Sequence, residues 1–295
     1  MQLQSLPLKS IAKKGDLLHF RLPFKAKDSF DFFSEVYGGE GAVLQDETTK
    51  EDEIEIPIFS SSSRQNFLDR SPIESHQVIS LDDEHRRYVK LGIKHLQEMH
   101  NQDWQFLKQH LKGLIFVELR DSFKSAESQV TSISLPGLPY LSLFSKKSFF
   151  HAPPLILTDK PSIHIFSENL IHEATHQWVN LNLVDGNLLK ESYISENSPS
   201  IRIPWRSSTS VPRDRIWPID RCLHACLVYL IVARFRLRLL QSADHGHPYS
   251  QADLIQAIEN GIYLAHEILE HSGALTLNGK NVVQSVNKAF KELQS

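Results

Sequence analysis

The chain has 295 residues, of which 41% are hydrophobic, 23% charged and 9% aromatic, with a formal net charge of −3. That length supports a substantial core, and the balance excludes a largely disordered chain. It also lacks the basic excess that gathers nucleic acid, so no nucleic-acid partner is expected.

The first residues, MQLQSLPLKSIAKKGD, contain no continuous apolar stretch, so no secretory signal is expected. A short helix is predicted near Lys27–Val36, closed by Gly38-Gly39. Residues 45–64 turn acidic and then serine-rich and are expected to form an exposed loop. From Leu81 to Leu114 the spacing of Tyr88, Leu91, Ile93, Leu96, Met99, Trp104, Leu107 and Leu111 predicts one long helix or two, with Asp82, Asp83 and Glu84 in the first turn. His85, His95, His100 and His110 dot this region without an i,i+4 pair and are expected at its surface or boundary. The pattern then becomes strand-like over Leu114–Leu119, Gln129–Leu135 and Leu141–Phe144, with a turn at Pro136-Gly-Leu-Pro139.

The next element carries the chemistry. Phe166 to Asn180 reads as an amphipathic helix starting near Ser167 and ending before Asp185-Gly186. Inside it stands His172-Glu-Ala-Thr-His176, an H-E-x-x-H sequence. Residues four apart on a helix lie about 40° apart in projection, so both imidazoles leave one face and can share one metal ion. Glu173 is then close enough to act on whatever that metal binds. With 15 histidines in the chain, roughly 0.05 such matches are expected by chance, so the motif is specific.

After it, Leu188 to Pro218 is polar and proline-bearing, a length of connection that is usually functional or disordered. The longest apolar run, Leu223 to Ala233, is interrupted only by His224. It is too short to span a bilayer and reads as part of a buried helix, Ile219 to Leu240. Cys222 and Cys226 sit one helical turn apart within it and read as small core residues; a reduced, cytoplasmic protein is the expectation. Two further helices, Gln251–His271 and Asn281–Leu293, close the chain. The whole is read as one α+β metalloenzyme domain, mostly helical, with an N-terminal helical part (1–112), a metal-site core (113–240) and C-terminal helices (241–295). In that reading the motif helix packs on a small sheet.

A catalytic metal held by two histidines needs a third protein ligand and an open position. Glu191 and Glu196 follow His176 by 15 and 20 residues, about where a thermolysin-like zinc peptidase places its glutamate, but their segment is weakly helical and cut by Pro199. His224 lies in the apolar helix, where a neutral imidazole must satisfy its nitrogens and a metal can satisfy one. His224 is therefore the preferred third ligand. The pair His266 and His271 has spacing five, which separates the rings by about 140°, and His245 and His247 fall in a polar turn.

The combination of HEATH, a PWR stretch and WPIDRCLHACLVYLIVA resembles the HExxH-containing peptide-modification proteins found beside ribosomally made natural-product precursors. The upstream TSISLPGLPYLSL is similar to that family's serine-bearing strand and Pro-Gly turn. The likeness covers about residues 115–240 and departs from the family pattern at Trp217 and Arg221, where an arginine and a glycine are expected. The resemblance implies an iron(II), α-ketoglutarate (2-oxoglutarate)-dependent hydroxylase acting at a side-chain β-carbon of a precursor peptide. It implies that His172, His176 and His224 bind the metal and that an arginine in 202–215 holds the co-substrate. A planar guanidinium suits the free carboxylate of the keto acid. Arg206 is the first choice, Arg215 the second and Arg221 the third. The same donors suit zinc, which gives the alternative of a zinc metallopeptidase with Glu173 as general base. A non-catalytic peptide-binding scaffold with a structural metal is the third reading.

Overall fold

The computed structural model describes residues 44–46, 56–61, 74–124, 129–135, 140–153, 156–206, 215–244 and 246–294. The helix expected near Lys27–Val36, the turn at 136–139 and His245 lie outside them. The fold is α+β. By its contacts the chain falls into two compact units, and among the described residues the first ends at Gln177 and the second begins at Trp178.

The first unit is built on a sheet of strands β1 (Leu44–Asp46), β2 (Ile58–Ser61), β3 (His76–Val78), β4 (Gly113–Leu119), β5 (Ser132–Ser134) and β6 (Leu141–Phe144). Its order is β1-β2-β4-β6-β5, with β3 pairing antiparallel to the far end of β4. The central strand β4 runs parallel to both β2 and β6. That position explains its sequence, GLIFVEL, in which every residue but Glu118 is buried: a strand covered on both faces reads as a continuous apolar run. A parallel pair cannot be joined by a hairpin, and between β2 and β4 the chain crosses over through β3 and two helices.

Those helices are α1 (Asp83–Met99) and α2 (Asn101–His110), separated where His100 leaves helical geometry (φ −139°, ψ 54°). Asp82 caps α1 by accepting from the His85 amide at 2.9 Å, and Lys146 reaches its other oxygen at 2.7 Å. Phe116 of β4, Phe144 of β6, Phe149 and Phe166 form a stacked aromatic core, with Phe149 and Phe166 centroids 4.7 Å apart. The stretch 45–64 is not wholly a loop, because Leu44–Asp46 and Ile58–Ser61 pair antiparallel. Ile56, Ile58 and Phe59 are buried there, an apolar cluster outweighed in the sequence by its acidic and serine neighbours. Two further short strands, β7 (His151–Ala152) and β8 (Ile156–Leu157), pair antiparallel.

The motif helix is α3 (Ile163–Val184), and the border between the units falls within it. The second unit adds a two-stranded ladder, β9 (Ile201–Arg202) with β10 (Ile216–Trp217). Three helices, α4 (Ile219–Gln241), α5 (Gln251–Glu270) and α6 (Leu277–Gln294), pack on one another. Helix α4 is buried without a break from Cys226 to Arg236. Even Arg236 is 2% exposed; it stacks over Tyr249 at 5.2 Å and donates to the Asp253 carbonyl at 3.3 Å. A capping box between Ser250 and Asp253 opens α5. Close approach shapes the α6 start: a Cβ on Gly279 would lie 2.1 Å from the Leu188 carbonyl oxygen. Both cysteines are free and buried, as their spacing suggested. No helix among the described residues is long and apolar enough to cross a membrane.

Candidate metal centre

Helix α3 begins one turn earlier than the sequence suggested. Ser162 accepts from the Ile165 amide at 3.4 Å, while Ser167 lies inside the helix with its hydroxyl between the Ile163 and Gly92 carbonyls, at 2.8 and 2.9 Å. The end is as expected. Gly186 adopts φ +67°, its amide bonds Leu183, and the Asn187 amide bonds Asn182, which together make a Schellman stop. The helix is not amphipathic. From His164 to Asn180 every residue is buried except two, His172 and His176. The motif histidines are thus the only openings in an otherwise enclosed stretch of helix.

Their Nε2 atoms lie 3.0 Å apart. That is the length of one N–H···N hydrogen bond between neutral rings. It is equally the bite of two imidazoles on one ion: at about 2.0–2.1 Å from each nitrogen, an ion would see them about 95° apart. His172, Glu173 and His176 offer ligand atoms all within 4.8 Å of one another, so this group can hold a metal ion.

Glu173 is 1% exposed. Its two oxygens are held differently. Oε2 accepts from Ser134 Oγ at 2.6 Å, whereas Oε1 stands 3.9 Å from His172 Nε2. Burial pushes its pKa up to about 7 from 4.5, against the opposing hydrogen bonds from Ser134 and Ser132. Ser132 and Ser134 share one face of β5 because side chains alternate along a strand. Ser134 is also paired across the ladder with Ser142 of β6, and their hydroxyl oxygens are 2.6 Å apart. One turn after Glu173, buried Gln177 accepts from the Tyr140 amide at 3.0 Å and donates to the Leu141 carbonyl at 2.5 Å and to Ser142 Oγ at 3.4 Å. Sequence reasoning had not singled out these groups individually. The signal was present in the alternation Ser132-Ile-Ser134 and in the four-residue step from Glu173 to Gln177.

His95 and His100, expected at the surface or boundary, are buried, as is His164. The His95 ring lies 4.9 Å from His164 and 5.3 Å from His100.

The remaining candidates belong to the second unit. His224 lies on the incompletely buried stripe of α4 formed by Asp220, Arg221, His224 and Ala225, so it is half-buried and shares a face with Arg221. Arg206 ends the turn Pro204–Arg206, half-buried, with its guanidinium 5.9 Å from the Trp217 ring centre; exposed Arg221 lies over the same ring at 4.5 Å. Arg215 is exposed, and its carbonyl accepts from the Ile203 amide. Glu191 and Glu196 are both exposed. Nearby, Trp205 packs edge-on against Tyr229 and Tyr263. No protein-family model matches this chain, and no curated protein is significantly similar to it.

Proposed function

We propose that the chain is an iron(II), 2-oxoglutarate-dependent hydroxylase acting on a side-chain carbon of a precursor peptide. The observation that carries a metal-centred reading is the gap in α3: its one accessible place between His164 and Asn180 is the pair His172 and His176, with Nε2 atoms 3.0 Å apart. A stretch of helix buried on both sides of this place does not need two imidazoles there for packing. In this reading His172 and His176 supply two ligands, His224 is the third, and Arg206 binds the distal carboxylate of the keto acid as a bidentate partner. When bound, iron(II) with 2-oxoglutarate and molecular oxygen would supply the oxidative chemistry: one atom of dioxygen enters the substrate C–H bond and the other enters the succinate formed as carbon dioxide is lost. The chain's part is positional. The imidazoles would hold the ion, and Glu173 would orient what lies beside it without taking a proton from substrate.

Zinc peptidase chemistry is the second reading, favoured by one specific observation. Glu173 is buried beside His172 and turns Oε1 toward it, which suits a general base acting on a water held by the metal. Anaerobic reconstitution with iron(II) followed by 2-oxoglutarate separates the two. A visible charge-transfer band that disappears in His172→Ala and His224→Ala, with succinate formed on admitting oxygen and peptide, supports the hydroxylase. Peptide cleavage by the zinc-loaded protein, abolished in Glu173→Gln, with no such band, overturns it.

A further inference from the structure

The hydroxyl and amide groups around Glu173 can be followed proton by proton, and they run in one direction. The Tyr140 amide can only donate, so the Gln177 atom that it meets is the oxygen. The other end of that side chain is therefore NH2, with one hydrogen for the Leu141 carbonyl and one for Ser142 Oγ. Ser142 accepts from Gln177, leaving its own hydrogen for Ser134, 2.6 Å away. Ser134 then spends its single hydrogen on Glu173, whose Oε2 at 2.6 Å is much nearer than the Glu173 carbonyl at 3.2 Å. Every link lies within the first unit, and Glu173, Gln177 and Ser142 are all buried. Tyr140, where the chain starts, is the only non-glycine residue with positive φ (63°) among the described residues. Such a conformation is disfavoured for a residue with a side chain and persists where the surroundings hold it.

We infer that Ser134 and Ser142 are positioning residues: with Gln177 they form a one-way hydrogen-bond chain that pins Glu173 Oε2 and so keeps Oε1 facing His172. The significance of this for catalysis rests on the metal-centred reading above, but the chain itself does not. Chains of this kind polarise one another, so a cut at a distant link is felt at the end. Ser142 has no direct bond to Glu173, which makes it the discriminating position.

The test is isotope-edited infrared spectroscopy of metal-free protein grown on 13C-glutamate, at alkaline pH. Subtracting the Glu173→Gln spectrum isolates the carboxylate band of Glu173. Ser134→Ala should shift that band, Ser142→Ala should shift it in the same direction by less, and the double variant should match Ser134→Ala alone. Ser134→Thr, which keeps the hydroxyl, should restore the native position. A native band in Ser142→Ala, or additive shifts in the double variant, overturns the inference. If Ser134→Ala fails to fold, Ser142→Ala and its rescue by Ser142→Thr decide the matter alone. Iron(II) or zinc uptake, measured on the same samples, reports separately on the metal-centred reading: failure to bind metal with the infrared shifts intact sinks that reading and leaves the positioning chain standing.

Discussion

Glu173→Gln should stabilise the metal-free protein at alkaline pH. In the unfolded chain this carboxyl ionises near its ordinary value of 4.5, and in the folded chain near 7. Between those values the folded protein keeps a proton that the unfolded chain releases. The associated stability is complete below about pH 4.5 and is lost as pH rises through 7. Each tenfold change in proton affinity is worth about 1.4 kcal/mol, so the full difference amounts to about 3 kcal/mol. Glutamine has nearly the same shape, carries no charge at any pH, and can turn its oxygen toward the Ser134 hydroxyl. The variant should therefore match the native protein near pH 4.5 and exceed it by about 3 kcal/mol near pH 8.5. Urea unfolding in the presence of a chelator, followed by circular dichroism across that range, reads the difference directly. Other titrating groups cancel between the two proteins. Parallel stability curves would refute the reasoning, since they would mean that the carboxyl feels the same surroundings folded and unfolded.

Gly279→Ala should lower the melting temperature of the second unit, because the new Cβ would meet a backbone oxygen 2.1 Å away that cannot rotate aside; a cost of about 1–3 kcal/mol is expected from calorimetry. Gly186→Ala tests backbone conformation without crowding: nothing lies within 4 Å of the added atom, yet φ is +67°, so a loss of about 1 kcal/mol is expected, with Gly186→Asn recovering part of it. Asp82→Ala removes the α1 cap and should cost about 1 kcal/mol in urea unfolding at neutral pH. Lys146, and after it His85, hold the Asp82 carboxyl well below its ordinary 3.8, so its contribution should be complete above that value and fade as pH falls through the depressed one.

The sequence conveyed most about elements marked by local signals. Residues Leu141–Phe144 were legible as a strand, the α3 stop was legible from Asp185-Gly186, and α4 was placed to within a residue, because each depends on local chemistry. The extent of α3 was less legible. Its polar residues suggested an exposed face, but Ser167, Asn169, Glu173, Thr175 and Gln177 are all buried, their polarity absorbed by bonds to carbonyls and to β5 and β6. No periodicity within one helix can reveal partners that arrive from distant strands. The same limit hid β1 and β2, where Ile58 and Phe59 count for more than the charges and serines around them. In the site itself, the spacing of His172 and His176 was sufficient to predict that both rings leave one face, and their Nε2 atoms do approach to 3.0 Å. The different treatment of the two Glu173 oxygens was not legible, because it depends on serines 39 and 31 residues upstream meeting across a ladder.

The chain's two sulfhydryls have a use as reporters. Cys222 and Cys226 are its only cysteines and both lie on α4; burial pushes the pKa of the first up to about 12 and that of the second higher still. Alkylating reagents attack thiolates, so in the native state these positions should resist modification. Labelling then becomes a clock for the opening of the C-terminal helices alone, since the part of the chain up to Gln177 contains no thiol to react.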